Sequence, residues 1–448
     1  MDRETSEKIL FLYNEIMDMR SVEYFSNANF EKLPKSWRKF ITEVQLNDLI
    51  DLVNLRKIGT ILPLSIICLC QLLRRLTFSR KMVESPEEME IFWKGEEDIR
   101  NIASCSKFRV ITSEDIFRKR IKIKKQHEID RIVELVRQIQ ENNSEIESLV
   151  DIGAGIGHLS RIIAVQNNLA VFAVEGNEQF TISATSLDEK LSLTPTSPVR
   201  FTSFVTEELS EKIDEFTKSQ SIIVGLHTCG DFSSTILNVF KKSKKSTCLI
   251  LLGCCYHKEY QCFSFSQQTS EATLPCGVFP LSQKWKGSKL NYTKREMACH
   301  NIENLEEVRN RNTKSFARYA RAHLEKIIWK ISENEADRNI GMSSVNCGID
   351  MRFGEYIEKA MAKRGSHLMQ KVLENTPKEL LGLPVSQLPQ EHFDKTDTIR
   401  LIFAQLIESC IIDDRVEFLR ENGWKTNVVP IFDPKLSPRS LAIVCNKI

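Results

Sequence analysis

The residues best placed to do chemistry are an acid, a glycine turn and a second acid, gathered in LVDIGAGIGHLSRIIAVQNNLAVFAVEGN. Gly153, Gly155 and Gly157 follow Asp151 at spacings of two. Glycines there let the backbone turn sharply and approach a ligand without interference from a Cβ. Glu175 closes the next apolar run, where a carboxylate can accept both hydroxyls of a ribose. This is the chemistry of a nucleoside cofactor. A dinucleotide fingerprint would need its third glycine at position 158, and that residue is His158, so no pyrophosphate cradle is expected.

These residues need a strand, a helix and a second strand to hold them. The apolar run ending at Ile152 fits a buried parallel strand, Leu159 to Val165 has helical periodicity, and Leu169 to Val174 is apolar and β-branched again. Together they make one βαβ unit. Further strands are expected at Val199 to Phe204, Ser221 to Leu226 and Thr247 to Leu252, with helices at Thr181 to Leu191 and Ser233 to Phe240. That alternation predicts an α/β fold with a doubly wound parallel sheet. A helix over Thr398 to Arg420 and strands at Val428 to Phe432 and Leu441 to Cys445 would close it.

The rest of the chain reads as helical. Ser6 is the expected cap of a first helix with Ile9, Leu10, Leu12, Tyr13, Ile16 and Met17 on one face, and LPKSW at Leu33 to Trp37 turns into another. The acidic segment from Glu84 to Glu97 is expected as a linker or solvated helix with Trp93 packed. Four segments follow: a helical region 1–117, a first core part 118–258, a mainly helical insertion 259–395 and a closing part 396–448.

In an open α/β sheet, ligands bind outside the carboxyl ends of the strands. That edge gathers Glu175 to Asn177, Phe204 to Thr206, His227 to Asp231 and Gly253 to His257. Asn177 and Phe204 are expected to complete the cofactor site. His227, after the fourth strand, is a candidate general base or orienting group, with Cys229 and Asp231 beside it; a hydrogen-bonded structural histidine is the alternative. Cys254, Cys255, Tyr256 and His257 are candidate acceptor contacts. The 433–439 loop should reach the same edge, making Arg439 a candidate for an anionic acceptor.

Arg118 to Lys125 reads RKRIKIKK. Lys122, Lys124 and Lys125 are either a solvated basic face or contacts to nucleic-acid phosphates. Over the whole chain 62 basic residues balance 60 acidic ones, so net charge identifies no polyanionic or membrane partner. The 13 cysteines have no framework spacing and are expected as reduced thiols in an intracellular protein of cytoplasm or nucleus. Cys229, Cys254, Cys255, His257, Cys262 and Cys276 invite a zinc reading, but adjacent cysteines seldom share an ion, and no metal is expected. The apolar run from Ile58 to Leu73 is broken by Pro63 and Gln71 and falls short of the roughly 20 residues a membrane span requires.

The D-x-G-x-G-x-G run from Asp151 to Gly157 is the first motif of class I methyltransferases. Together with LPKSW, KKQHE, AVEGN, GLHTCGD, GCCYH, GVFPLSQ, REMACH, DDRVEFLRENG and LSPRSLAIV in order, it resembles the methyltransferase-like protein 25 family over nearly the whole chain. The resemblance implies a seven-stranded Rossmann-like class I sheet. It also implies an S-adenosylmethionine site at Asp151, Gly153, Gly155, Gly157 and Glu175, with Asp151 toward the cationic amino acid end. The adenine dimethylase label attached to that family does not carry over, because His227, Thr228, Cys229 and Gly230 replace the Asn or Asp, prolines and aromatic that hold an adenine amino group. The Leu-His-x-Cys-Gly and Cys-Cys runs are similar instead to a transfer RNA ribose 2′-O-methyltransferase family. An RNA acceptor is therefore expected, and no DNA. A protein or small-molecule acceptor, or a catalytically silent interaction protein, remains the alternative.

Overall fold

The computed structural model describes residues 1–95, 121–191, 197–258, 279–306, 313–332, 342–363, 366–388 and 392–447. Arg118, Cys262 and Cys276, named above, lie outside them. The described chain divides into two compact units, one of residues 1, 78–299 and 408–448, the other of residues 2–77 and 300–407. This differs from the four segments read along the sequence. The first 77 residues share contacts with most of the insertion, while residues 78–94 belong with the sheet.

The first unit holds a seven-stranded sheet: β1 (Ile146–Ile152), β2 (Ala170–Glu175), β3 (Val199–Thr202), β4 (Gln220–Thr228), β5 (Ser246–Gly253), β6 (Lys425–Pro430) and β7 (Leu441–Asn446). Its spatial order is β3-β2-β1-β4-β5-β7-β6. The first five strands run parallel, and β7 is antiparallel to both its neighbours, β5 and β6. This is the class I methyltransferase sheet. Its strands are apolar on both faces because helices cover both. Alternate residues divide between the two: Leu149, Ile222, Val224 and Ile250 pack on one face, Val150, Ile223, Leu249 and Leu251 on the other.

On the first face lie the helices Ile123–Asn142 and His158–Gln166, on the second Leu209–Phe216 and Phe232–Lys242. Pro86–Lys94 is a packed helix rather than a linker. Ser85 caps it by accepting from the Glu88 amide, Gly95 ends it in the left-handed conformation, and Trp93 donates to Gln138 Oε1 at 3.2 Å. The expected helix from Thr398 to Arg420 is interrupted: a 3₁₀ turn, Arg400–Phe403, separates Phe393–Ile399 from Ala404–Arg420.

In the second unit the first helix is Arg3–Leu12, and its cap is Asp2, which accepts from the Thr5 amide; Ser6 is buried one turn on, donating to the Asp2 carbonyl. Leu12, expected inward, is exposed. Leu64–Leu76 buries Ile66, Leu69, Cys70, Leu73 and Leu76, the one-sided spacing of an amphipathic helix. No described helix is long and apolar enough to cross a membrane. A separate core forms around Tyr24, Tyr319, Ala322 and Phe393.

Candidate cofactor and acceptor site

The glycine turn after β1 has φ of +79° at Gly153, +57° at Gly155 and +72° at Gly157, conformations that side chains with a Cβ resist. A Cβ on Gly155 would meet nothing within 4 Å, and one on Gly153 would touch only the Phe232 ring at 3.5 Å. Open space lies above Gly155, and Phe232 borders Gly153. Gly157 is different: a Cβ there would strike the Arg200 guanidinium, 2.3 Å from Nη1. Arg200 and Arg161 converge on the buried carboxylate of Asp188, Arg200 Nε at 2.7 Å and Arg161 Nε at 2.5 Å, while Arg161 Nη2 donates to the Ile156 carbonyl at 2.9 Å. The turn is thereby tied to its own helix, to the Glu178–Lys190 helix and to β3.

Glu175, at the end of β2, faces this turn. Its Oε2 accepts the Gly155 amide at 2.7 Å and its Oε1 the Asn177 amide at 2.9 Å. Each oxygen keeps a lone pair, so the carboxylate is fixed in place yet able to accept two hydroxyls. Asn177 caps the following helix with its own side chain, accepting from the Gln179 amide. Phe204 is 81% exposed and its ring flanks Gly176, where a Cβ would lie 3.5 Å away. An exposed aromatic beside this carboxylate offers a stacking face for a base. Asp151 is buried; it accepts from Ser160 Oγ at 2.5 Å, and burial raises its pKa. It anchors the turn to the helix. His158, at that helix's first position, is pushed down to about 4 by burial and is neutral at physiological pH.

Across the edge, His227 sits at a bulge in β4. Leu226 pairs with Leu252 and Thr228 with Gly253, leaving His227 without a partner in the register. Its φ is +108°, strained for a residue with a side chain. Bulges next to active sites re-aim a side chain, and here the imidazole is aimed at Glu128: Nε2 lies 3.0 Å from both carboxylate oxygens. Facing two acceptors, Nε2 carries the proton and a neutral ring has its lone pair on Nδ1. Glu128 also accepts from Ser437 Oγ at 2.8 Å and has the Lys124 and Lys125 ammonium groups at 3.7 Å.

Burial would raise the Glu128 pKa, but the hydrogen bonds and cations outweigh it and hold the group at about 2 against an ordinary 4.5. A carboxylate with a depressed folded-state pKa adds stability that is complete above its unfolded pKa and vanishes as pH falls through the folded value. The difference in unfolding free energy between wild type and Glu128→Gln should therefore be full at neutral pH and close between pH 4.5 and 2. A difference that stays constant across that acid range would rule out the depressed Glu128 pKa.

Three assignments read from the sequence are corrected by burial. Arg439 is 8% exposed and paired inside the protein with Glu408 Oε1 at 2.7 Å and the Ala298 carbonyl at 2.5 Å, so it cannot take an anionic acceptor. Tyr256 is buried, its hydroxyl donating to the same Glu408 oxygen at 3.1 Å and its ring under Arg415. Asp231 is buried at the head of the Phe232–Lys242 helix. The 433–439 loop does reach the edge, through Ser437 rather than Arg439. Lys122 and Lys124 are exposed, while Lys125 turns inward toward Glu128, and burial lowers its pKa.

The sulfur-bearing residues gather where β4 and β5 end. Cys229 Sγ lies 2.8 Å from Cys254 Sγ, which lies 3.8 Å from Cys255 Sγ. The Cys254 hydrogen bond draws the Cys229 thiol down to about 5, while Cys254 and Cys255 are raised. His257 Nδ1 is 3.4 Å from Cys299 Sγ, a residue the sequence pattern did not single out. Glu128, Ser437 and Phe232 were likewise missed. For Glu128 a signal existed: Lys124, Lys125 and Glu128 share one helix face at spacings of three and four.

Residues 124–261 match a family described as a methyltransferase domain. Methyltransferase-like protein 25 of Homo sapiens is 27% identical over 257 residues, covering 55% of this chain and 40% of that protein. Its Mus musculus counterpart gives the same identity and coverage. The matched stretch thus spans less than half the length of these relatives. Among solved structures, magnesium protoporphyrin IX methyltransferase from Synechocystis PCC 6803 with bound SAH is 19% identical, covers 31% of this chain and 59% of that one, and has a TM-score of 0.23.

Proposed function

On the premise that this chain carries a class I methyltransferase domain and is related to methyltransferase-like protein 25, we propose that it methylates an acceptor, RNA by preference, using S-adenosylmethionine. The observation that carries this reading is Glu175, pinned by two backbone amides beside open space over Gly155. The donor set fits the cofactor: Glu175 for the ribose hydroxyls, Phe204 for the adenine, and the glycine turn for close backbone approach. When bound, the cofactor supplies an electrophilic sulfonium methyl group. His227, its Nε2–H held by Glu128, presents Nδ1 as the acceptor for the proton that leaves the acceptor group. Glu128 is a positioning residue, and Ser437 orients it.

RNA is supported by the exposed Lys122 and Lys124 at the start of the helix that carries Glu128, and by the similarity of the HTCG and GCC runs. Titration calorimetry with S-adenosylhomocysteine tests the cofactor. No heat of binding at millimolar cofactor would sink the enzyme reading in favour of a silent interaction module. Charge reversal of Lys122 and Lys124 tests the acceptor. It should leave cofactor affinity unchanged, weaken RNA binding, and reduce the salt slope by about one unit per lost phosphate contact. An unaltered slope would move the acceptor to a protein or a small molecule.

A further inference from the structure

We propose that Cys229, Cys254 and Cys255 form a binding site for one zinc ion at the sheet edge and supply it with three thiolate ligands. The sheet itself creates the site. β4 and β5 are neighbours, and their last paired residues are Thr228 and Gly253. The next residue on each strand is a cysteine, so Cys229 and Cys254 leave the sheet side by side. The bulge at His227 sets this register; without it Cys229 would fall one residue out of step.

The two loops are also clamped together beyond the cysteines. Gly230 has φ of +58°, and a Cβ there would lie 1.7 Å from the Lys258 carbonyl oxygen. Only glycine permits that contact, which fixes the chain on either side of the sulfurs. All three Sγ atoms lie within 4.8 Å of one another. Zinc–sulfur bonds of about 2.3 Å in a tetrahedron place sulfurs about 3.8 Å apart. Cys254 and Cys255 already have that separation, at 3.8 Å, and Cys229 needs to withdraw from its 2.8 Å contact by about 1 Å to match it.

The surroundings suit the charge. Three thiolates on a divalent ion leave one net negative charge. Arg415 lies against Gly253, where a Cβ would be 2.5 Å from Nη1, and its Nη2 donates to the Gly230 carbonyl at 3.4 Å. The Lys258 charge favours the thiolate forms of both Cys229 and Cys255. Thiolate donors select zinc over the harder divalent ions. Among the described residues no fourth sulfur, imidazole or carboxylate joins the cluster; Cys299 is engaged by the Tyr256 amide at 3.2 Å and by His257. Structural zinc sites close with four protein ligands, whereas three ligands leave a position for water or a reacting group. The three cysteines are half-buried rather than sealed.

The test is metal content of the full chain, purified under reducing conditions without chelator. The expected result is about one zinc per chain, falling at least about tenfold in Cys229→Ser and Cys254→Ser but not in Cys68→Ser, whose sulfur is exposed elsewhere. Cobalt(II) added to metal-stripped wild type should give an intense thiolate-to-metal charge-transfer band, and this decides the matter even if a variant fails to fold. Absence of both zinc and the cobalt band overturns the proposal. A Cys229–Cys254 disulfide in the intact mass under the same conditions does so as well, in favour of a redox pair. S-adenosylhomocysteine calorimetry on the same samples reads the cofactor site separately, so failure of one reading is not mistaken for failure of the other.

Discussion

Replacing Asp188 by alanine is expected to cost about 3–5 kcal/mol of folding free energy, because it strands two buried guanidinium groups at once. Arg161 and Arg200 both bond to this carboxylate, and the side chains of all three are less than a tenth exposed. Arg161 retains the Ile156 carbonyl, but Arg200 then stacks an unneutralised charge against Gly157. The loss should be read in denaturant as a lower midpoint with an unchanged slope. The same variant should weaken S-adenosylhomocysteine binding, since Arg161 ties the glycine turn to the network. Asp188→Asn keeps an acceptor oxygen for one arginine and should cost less. A loss below about 1 kcal/mol in Asp188→Ala would mean that water reaches both arginines and that the network is not what holds the turn.

The parts of this molecule that were legible in the sequence are those whose causes are local. β1, β4 and β5 are buried along most of their length, so their centres read as apolar runs and lie within a few residues of where the sequence places them. The glycine turn and Glu175 were legible for a similar reason: one βαβ unit contains them all. β6 was displaced because it is an edge strand whose first residues, Lys425 to Asn427, are polar, whereas Ile431 and Phe432 are buried beyond its end. Nothing local announces the 3₁₀ turn at Arg400–Phe403, four residues buried on the way into the last long helix.

The surroundings of His227 were less legible because its partners are distant in sequence. Glu128 and His227 are 99 residues apart, and Ser437 is 309 from Glu128. A strained φ and a register bulge bring them together, and neither leaves a mark in composition or periodicity. Arg439 shows the converse error. A cation in a loop between two strands reads as available, yet Glu408, from the last long helix, holds it inside the protein. Charge in a sequence says nothing of what the charge already faces.

Glu175→Gln is expected to weaken S-adenosylhomocysteine binding by about 1.5–3 kcal/mol, ten- to a hundredfold, with the fold intact. The geometry makes this swap harsher than its near-identical shape suggests. Each carboxylate oxygen already accepts one backbone N–H, from Gly155 or from Asn177. A glutamine must turn its NH₂ toward one of them, setting donor against donor, and it then has a single oxygen for two ribose hydroxyls. The variant therefore loses charge assistance on both hydroxyl contacts and also loses the anchor that positions one side of the turn. Glu175→Asp, which keeps the charge but shortens the reach, should separate these effects by restoring acceptor capacity without restoring position. An affinity unchanged in folded Glu175→Gln would mean that the cofactor lies elsewhere, and the assignment of Gly155 and Phe204 to its site would fall with it.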